Sequence, residues 1–245
     1  MALYWSFILG KSNHFVVYSP LWSSEKYRKK YLMRKIILIV ILALYFVIPR
    51  LSFAFEPFIP SPSNPLSISS QYPNWNQAGV LQGQIIMEND NLFSMWYSSL
   101  GNGIRIAKAT SPDGIQWNGN TLYSFLGNQD TSDPYFVKNN PNYLYFATTP
   151  AGSTTRIKRI TEINGTFDNS TIQEVFIPEK KWGVNGTTSP VIWIENGTYY
   201  LYYSALEATW NMGMATSQDG ITFNECNNNP FLSGDTVPRS IIKYD

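Results

Sequence analysis

The sequence predicts an all-β protein, a β-propeller with about three and a half blades. Three observations predict it. A turn signature recurs as Ser111-Pro112-Asp113-Gly114-Ile115-Gln116-Trp117, Asn164-Gly165-Thr166-Phe167 and Ser217-Gln218-Asp219-Gly220-Ile221-Thr222-Phe223. Its Asp113, Asn164 and Asp219 stand 51 and 55 positions apart, close to the roughly 40–50 residues of a four-stranded blade. Between the signatures lie paired runs of β-branched and aromatic residues bounded by Asn, Asp, Gly and Pro, and no stretch after residue 55 carries a helical period.

Residues 1–54 read as an N-terminal extension and a secretory signal. Met33-Arg34-Lys35 is a short basic start, Ile36 to Ile48 is an apolar run of 13 residues, and Ser52-Phe53-Ala54 places small residues at the cleavage positions. That run lies within the roughly 7–15 residues of a signal core and below the 18 or more of a membrane span. Residues 1–32 read as an upstream mis-assigned start or a long basic leader. The alternative is an uncleaved anchor at residues 36–48, the one case in which a membrane is a partner; under both readings the rest of the chain is secreted or extracytoplasmic.

The formal charge of +1 conceals a division. From Phe55 onward there are ten Lys or Arg against sixteen Asp or Glu, a net of −6, which argues against nucleic acid as a partner because phosphate binding needs a clustered basic surface. The one basic cluster, Arg156-Ile157-Lys158-Arg159, is expected on a solvated or edge strand protected by its charge. The single cysteine, Cys226, excludes an internal disulfide framework and is expected as a small buried side chain. The single histidine, His14, precedes the expected cleavage site, so histidine-based triads and zinc sites are excluded and acid–base work falls to carboxylates. No cofactor or metal is implied: Asn89-Asp90-Asn91 offers oxygen atoms, but a calcium site needs about six ligands, and a hairpin turn explains the segment.

Residues 55–70, with Pro57, Pro60, Pro62 and Pro65 among serines, read as an extended linker; residues 71–245 form the partial propeller domain. Its first unit pairs Gln84–Met87 with Leu92–Tyr97, the second Tyr135–Val137 with Tyr143–Phe146, and the third Val191–Ile194 with Thr198–Tyr203. The third pair is joined across Glu195-Asn196-Gly197, and Asn-Gly between two such runs is a strong hairpin signal. A fourth unit begins, with Asn229-Pro230-Phe231-Leu232 echoing Asn64-Pro65-Leu66-Ser67 and Val237–Ile242 echoing the stretch from Val80; the expectation is a fragment or a truncated reading frame. Asp113 and Asp219 recur once per unit and are therefore read as turn-formers, with Trp117 and Phe223 as wedges between blades. Trp75, Trp182 and Trp210 fall in predicted loops, where an aromatic has no packing role, and are the expected sugar-stacking platform. Asn164, Asn169, Asn185 and Asn196 begin sequons that mark exposed loops if the host glycosylates; in a bacterial host they mean only turns.

From Asn64 to Asp245 the chain resembles the five-bladed propeller glycosidases: glycoside hydrolase families 43 and 32 and their relatives that act on β-mannosides. Met95-Trp96-Tyr97-Ser98, Tyr202-Tyr203-Ser204, the two Ala-Thr-Ser turn segments from Ala109 and Ala215, and Ser132-Asp133-Pro134 carry the resemblance. It implies three carboxylates at the heads of the inner strands, pointing into a central funnel, where one protonates the leaving oxygen, one activates water or attacks the anomeric carbon, and a third tunes the acid. Asp133 matches the aspartate-proline motif. The equivalent place in the first unit holds Gln82 or Gln84, the third holds Thr188 where the acid Glu is expected, and Arg239 takes the position in the fourth; neither an amide nor a hydroxyl replaces a carboxylic acid. The expectation is a secreted carbohydrate-active protein that binds or hydrolyses an oligo- or polysaccharide in the funnel, with Asp133 as base or pKa-tuning partner. Alternatives are a non-catalytic carbohydrate-binding or surface-interaction propeller, or a truncated fragment. A second carboxyl within roughly 5–9.5 Å of Asp133, from Asp130 or Glu207 for instance, favours hydrolysis; a funnel without one favours binding.

Overall fold

The computed structural model describes residues 68–70, 78–178, 181–183 and 185–241. The chain divides into two compact units, Met1–Ser61 and Pro62–Asp245, and the described residues all belong to the second. The signal segment, the anchor alternative and Trp75 lie outside the described residues.

Three antiparallel meanders account for almost everything described. The first blade comprises β2 (Gly79–Asn89), β3 (Leu92–Gly101), β4 (Gly103–Ser111) and β5 (Trp117–Tyr123), paired in that order. The second comprises β6 (Asp130–Val137), β7 (Asn142–Thr149), β8 (Arg156–Ile163) and β9 (Thr166–Phe176), and the third β10 (Thr187–Glu195), β11 (Thr198–Leu206), β12 (Trp210–Ser217) and the short β13 (Asn224–Glu225). A three-residue strand, β1 (Ile68–Ser70), at the end of the expected linker, lies parallel to β5 with Ile68 opposite Trp117. One 3-10 turn, Lys181–Gly183, precedes the third blade, and residues 237–241 of the fourth unit follow it without strand pairing.

The recurring turns close the third strand onto the fourth in every blade. Asn164 and Gly165 both adopt positive φ, 52° and 77°, between the paired Ile163 and Thr166, as do Asn196 and Gly197 between Glu195 and Thr198; two successive left-handed residues suit the twist of a tight hairpin. In the longer turns the aspartate makes the connection. Asp219 Oδ1 accepts the backbone N–H of Ile221 and Thr222, each at 2.8 Å, and the Ser217 hydroxyl at 2.7 Å, and Asp113 repeats the pattern with Ile115, Gln116 and Ser111. These donors hold both carboxyls below the usual carboxylate range, Asp219 at about 2.

Each sheet is apolar on both faces, so blades bury one another. Trp96 on β3 stacks on Phe136 at the head of the second blade, 5.1 Å between centroids, and Phe167 closes edge-on against Trp96, Tyr123 and Phe125. Between the second and third blades Tyr145, Ile192, Leu201, Tyr203 and Phe223 form the larger core. Full burial of side chains of this size stabilises by about 2–3 kcal/mol each. Trp117 is buried too, but against Tyr97, Ala107 and Ala109 on the opposite face of the first blade, so of the two expected wedges Phe223 alone lies between described blades.

The basic cluster departs from expectation. β8 is an interior strand, paired with β7 and β9. Arg159 is buried, lies over the Tyr143 ring at 4.3 Å, and donates to the carbonyls of Asp219 and Gly220 at 3.3 and 3.2 Å. Its charge serves the junction with the third blade rather than protecting an edge. Tyr145 adds a hydroxyl bond to Gly220 O at 2.7 Å.

The two turn glycines consequently differ in cost. Both have left-handed φ, 73° at Gly114 and 67° at Gly220, but a Cβ on Gly114 meets nothing within 4 Å whereas one on Gly220 falls 2.7 Å from the Tyr145 hydroxyl and 2.8 Å from the Tyr199 ring. Gly114→Ala is expected to destabilise by about 1–2 kcal/mol from backbone strain alone, and Gly220→Ala by roughly 2–4 kcal/mol once overpacking is added. Equal midpoints in chemical denaturation of the two variants would refute the tight junction.

Candidate functional site

Each leading strand carries the same irregularity. Pairing skips two residues between Leu81 and Gln84, between Ser132 and Tyr135, and between Thr188 and Val191. The first residue of each bulge, Gln82, Asp133 and Ser189, has φ of 52°, 53° and 52°. A left-handed conformation costs a non-glycine residue on the order of 1 kcal/mol, and such strain gathers at functional sites. The bulge re-aims a side chain that the two-residue period would send to a sheet face. The next residue is Gly83, Pro134 or Pro190, and proline fits because a bulge excuses it from donating to the ladder.

Gln82, Asp133 and Ser189 are therefore equivalent. The position opposite the aspartate in the third blade is Ser189, one residue beyond Thr188, and in the first blade it is Gln82 rather than Gln84. The three line a small depression, together with Tyr135, Pro238 and Arg239 among others.

Asp133 forms its base. It is 6% exposed, and its Oδ2 accepts the Ser189 N–H at 3.1 Å, the Ser189 hydroxyl at 3.4 Å and the Thr188 hydroxyl. Burial pushes its carboxyl up to about 6, against the opposing pull of the Ser189 N–H, the Arg239 charge and the Ser189 hydroxyl. Gln82 donates its amide to Ser189 Oγ at 3.3 Å, so the three equivalent side chains are in one hydrogen-bonded chain. Ser98, on the second strand of the first blade, accepts the Asp133 N–H at 2.9 Å and secures the bulge from beneath. Its equivalent in the third blade, Ser204, donates to Thr236 O at 3.1 Å, just ahead of Pro238 and Arg239.

Other expected site residues have different placements. Gln84 touches the depression, but its amide spans Phe136 as donor to the carbonyl at 3.1 Å and acceptor from the N–H at 2.6 Å, tying β2 to β6. Thr188 serves Asp133 as a hydroxyl donor. Arg239 is an exposed cation at the rim. Trp182 is buried, stacked on Tyr203 at 5.6 Å with its indole N–H donated to Glu225 at 2.9 Å, so it is a core residue and not a platform. Trp210 opens β12, half-buried, and does not line the depression. Asp130 is held by Arg105 at 3.2 Å and Glu207 is exposed in the β11–β12 turn; neither lines the depression. Cys226 is half-buried. Among the described residues no three His, Cys, Asp or Glu side chains converge as a metal ion would require.

No family model and no curated protein sequence matches the chain. Solved structures do. A thermostable family-43 glycoside hydrolase superposes with a TM-score of 0.57 at 18% identity, covering 68% of this chain and 60% of that one. A β-1,2-mannobiose phosphorylase from Listeria innocua, in complex with β-1,2-mannobiose, gives 0.54 at 13% identity over 68% and 52%. An endo-1,4-β-xylanase from Bacteroides thetaiotaomicron gives 0.51 at 21% over 64% and 56%. The chain thus spans 60% or less of the length of these three proteins. It has the fold of the propeller glycoside hydrolases, represented by three complete blades.

Proposed function

We propose that this protein is an extracytoplasmic carbohydrate-binding propeller whose depression around Asp133 takes a sugar unit of an oligo- or polysaccharide. One observation carries the reading: three equivalent strand heads converge and present an amide, a carboxyl and a hydroxyl, where the two-carboxylate hydrolysis of the fold's enzymes needs a second acid at roughly 5–9.5 Å. Gln82, Asp133 and Ser189 suit the donor and acceptor pattern of sugar hydroxyls, and Tyr135 with the neighbouring prolines offers apolar surface for the sugar's C–H faces.

A catalytic reading has its own support. A carboxylic acid poised near 6 is a competent proton donor, and Arg239 beside it suits an anion. If inorganic phosphate supplied the attacking oxygen, Asp133 would protonate the departing glycosidic oxygen as phosphate oxygen bonds to the anomeric carbon, and no second carboxylate would be needed to activate water. A β-1,2-mannobiose phosphorylase shares the fold.

Titration calorimetry against a panel of neutral oligosaccharides, with and without phosphate, is expected to show saturable binding that Asp133→Ala weakens at least about tenfold through loss of a buried charged hydrogen-bonding partner. Binding by the wild type that Asp133→Ala leaves intact, or no binding by the folded protein, would sink the assignment. Phosphate-dependent appearance of a sugar phosphate would establish the catalytic reading.

Asp133 also gives stability an unusual pH dependence. Its folded value, about 6, lies above the ordinary 3.8, so the folded state binds the extra proton between those values and stability falls as pH rises from about 4 through 6, by up to about 3 kcal/mol. Asp113 and Asp219, whose values are lowered, act in the opposite sense and only below about pH 4. Denaturation at pH 4.5 and 7.5 is expected to show the loss in the wild type and a flatter response in Asp133→Asn, with the variant more stable at pH 7.5 by roughly 1–3 kcal/mol; a steeper response in the variant would contradict the burial argument.

A further inference from the structure

We propose that the Asp133 carboxyl supplies an inter-blade tie that the second blade lacks, so that Oδ2 is committed to the third blade, with Thr188 as its positioning residue, and Oδ1 alone meets an occupant of the depression. That the occupant is a saccharide rests on the reading above; the division of the two oxygens does not.

The repeat locates the missing tie. In each blade the residue just before the bulge pairs with one on the second strand: Leu81 with Ser98, Ser132 with Ala147, and Thr188 with Ser204. Both serines bond forward to the next unit, Ser98 accepting the Asp133 N–H at 2.9 Å and Ser204 donating to Thr236 O at 3.1 Å. Ala147, at the same place in the second blade, is fully buried and carries no hydroxyl. The Ser189 N–H is equivalent to the Asp133 N–H, one blade on, and so has no serine to bond. A buried N–H without an acceptor is costly, and this one is satisfied across the junction by Asp133 Oδ2 at 3.1 Å.

Among the described residues, every hydrogen bond that the carboxyl accepts falls on that oxygen: the Ser189 N–H, the Ser189 hydroxyl at 3.4 Å and the Thr188 hydroxyl. A carboxylate oxygen has about two lone-pair sites. With three donors on it, Oδ2 has none left for a proton, and in the acid form the proton belongs to Oδ1. Oδ1 is then a donor to the occupant when the carboxyl is protonated and an acceptor when it is not. Donors on a carboxylate favour its charged form, so Thr188 and the residue at position 147 set the pH at which Oδ1 changes role. The charged group that acts on this carboxyl is Arg239, which substitution at either position leaves in place.

Titration of the Asp133 carboxyl by carbon-13 NMR of the aspartate-labelled full chain, its signal assigned through Asp133→Asn, tests the division directly. Thr188→Val is expected to raise the titration midpoint by at least about half a pH unit, through loss of a donor to the anion, and Thr188→Ser to keep the wild-type value. Denaturation at pH 4.5 gives an independent arm. Ala147→Ser supplies the absent hydroxyl, so it is expected to raise the midpoint of Asp133→Ala and to stabilise the wild type less or not at all. Where a neutral oligosaccharide binds, the pH at which its affinity changes is expected to follow the carboxyl midpoint in Thr188→Val. Titration and denaturation are made without a ligand, so a failure to bind saccharides sinks the reading of the site and not the division of the oxygens. A carboxyl midpoint that Thr188→Val leaves in place, whatever its effect on stability, or an Ala147→Ser effect equal in the two backgrounds would overturn the proposal.

Discussion

A four-stranded sheet that is apolar on both faces has to be covered on both, and this requirement governs the whole architecture. The alternation along β3 and β7 places Trp96 and Tyr145 on one side and Met95 and Leu144 on the other, with no polar face to leave in water. Such sheets cannot pair off as a sandwich, which satisfies one face of each; they must follow one another. Succession about an axis then brings the leading strands β2, β6 and β10 together, and a polar depression forms where they meet. The site is a consequence of packing, fixed by the pairs Trp96–Phe136 and Tyr145–Phe223 and by the seating of the Asp219-Gly220 turn on Arg159 and Tyr145.

Convergence alone would bring backbone together, with side chains still alternating between the sheet faces. The bulge converts convergence into a site. By placing Gln82, Asp133 and Ser189 in left-handed conformation it turns one side chain per blade toward the shared space. Contacts between neighbours hold the strained residues: Ser98 of the first blade fixes the Asp133 amide, and Ser189 and Thr188 of the third hold its carboxyl. Asp133 is thus defined by three blades at once, which is why none of its partners is near it in sequence.

That explains how much could be read in advance. The blade period, the hairpins at Asn164 and Asn196 and the structural role of Asp113 and Asp219 are local, written within a few residues, and turn chemistry makes them legible. Asp133 was legible because proline follows it. The same offset, applied to Ser189-Pro190, would have given Ser189 in place of Thr188; the error of one residue arose because a bulge breaks the period that sequence counting assumes. Trp182 and Arg159 differ from their expected placement for another reason. Their surroundings belong to elements dozens of residues away, Tyr203 with Glu225 and the Gly220 turn, and no local pattern announces a tertiary partner. Gln84 is the same case, its amide consumed by the Phe136 peptide.

The chemistry of the depression follows from what stands at the two positions equivalent to Asp133. Carboxylates there would raise one another's pKa by repulsion, and one would be kept protonated by its neighbours' charge. Gln82 and Ser189 carry no charge, so the protonation of Asp133 rests on burial, moderated by the Ser189 N–H, the Arg239 guanidinium and the Ser189 hydroxyl. Burial is a property that an occupant can change: any molecule closing over the depression would remove the remaining water from Asp133 and from Arg239 together. Desolvation favours the neutral acid, while a less screened guanidinium favours the anion. The balance is decided by whether the occupant separates Arg239 from the carboxyl or leaves the two facing each other, so the charge state of a single buried aspartate reports how the ligand sits between the rim and the base.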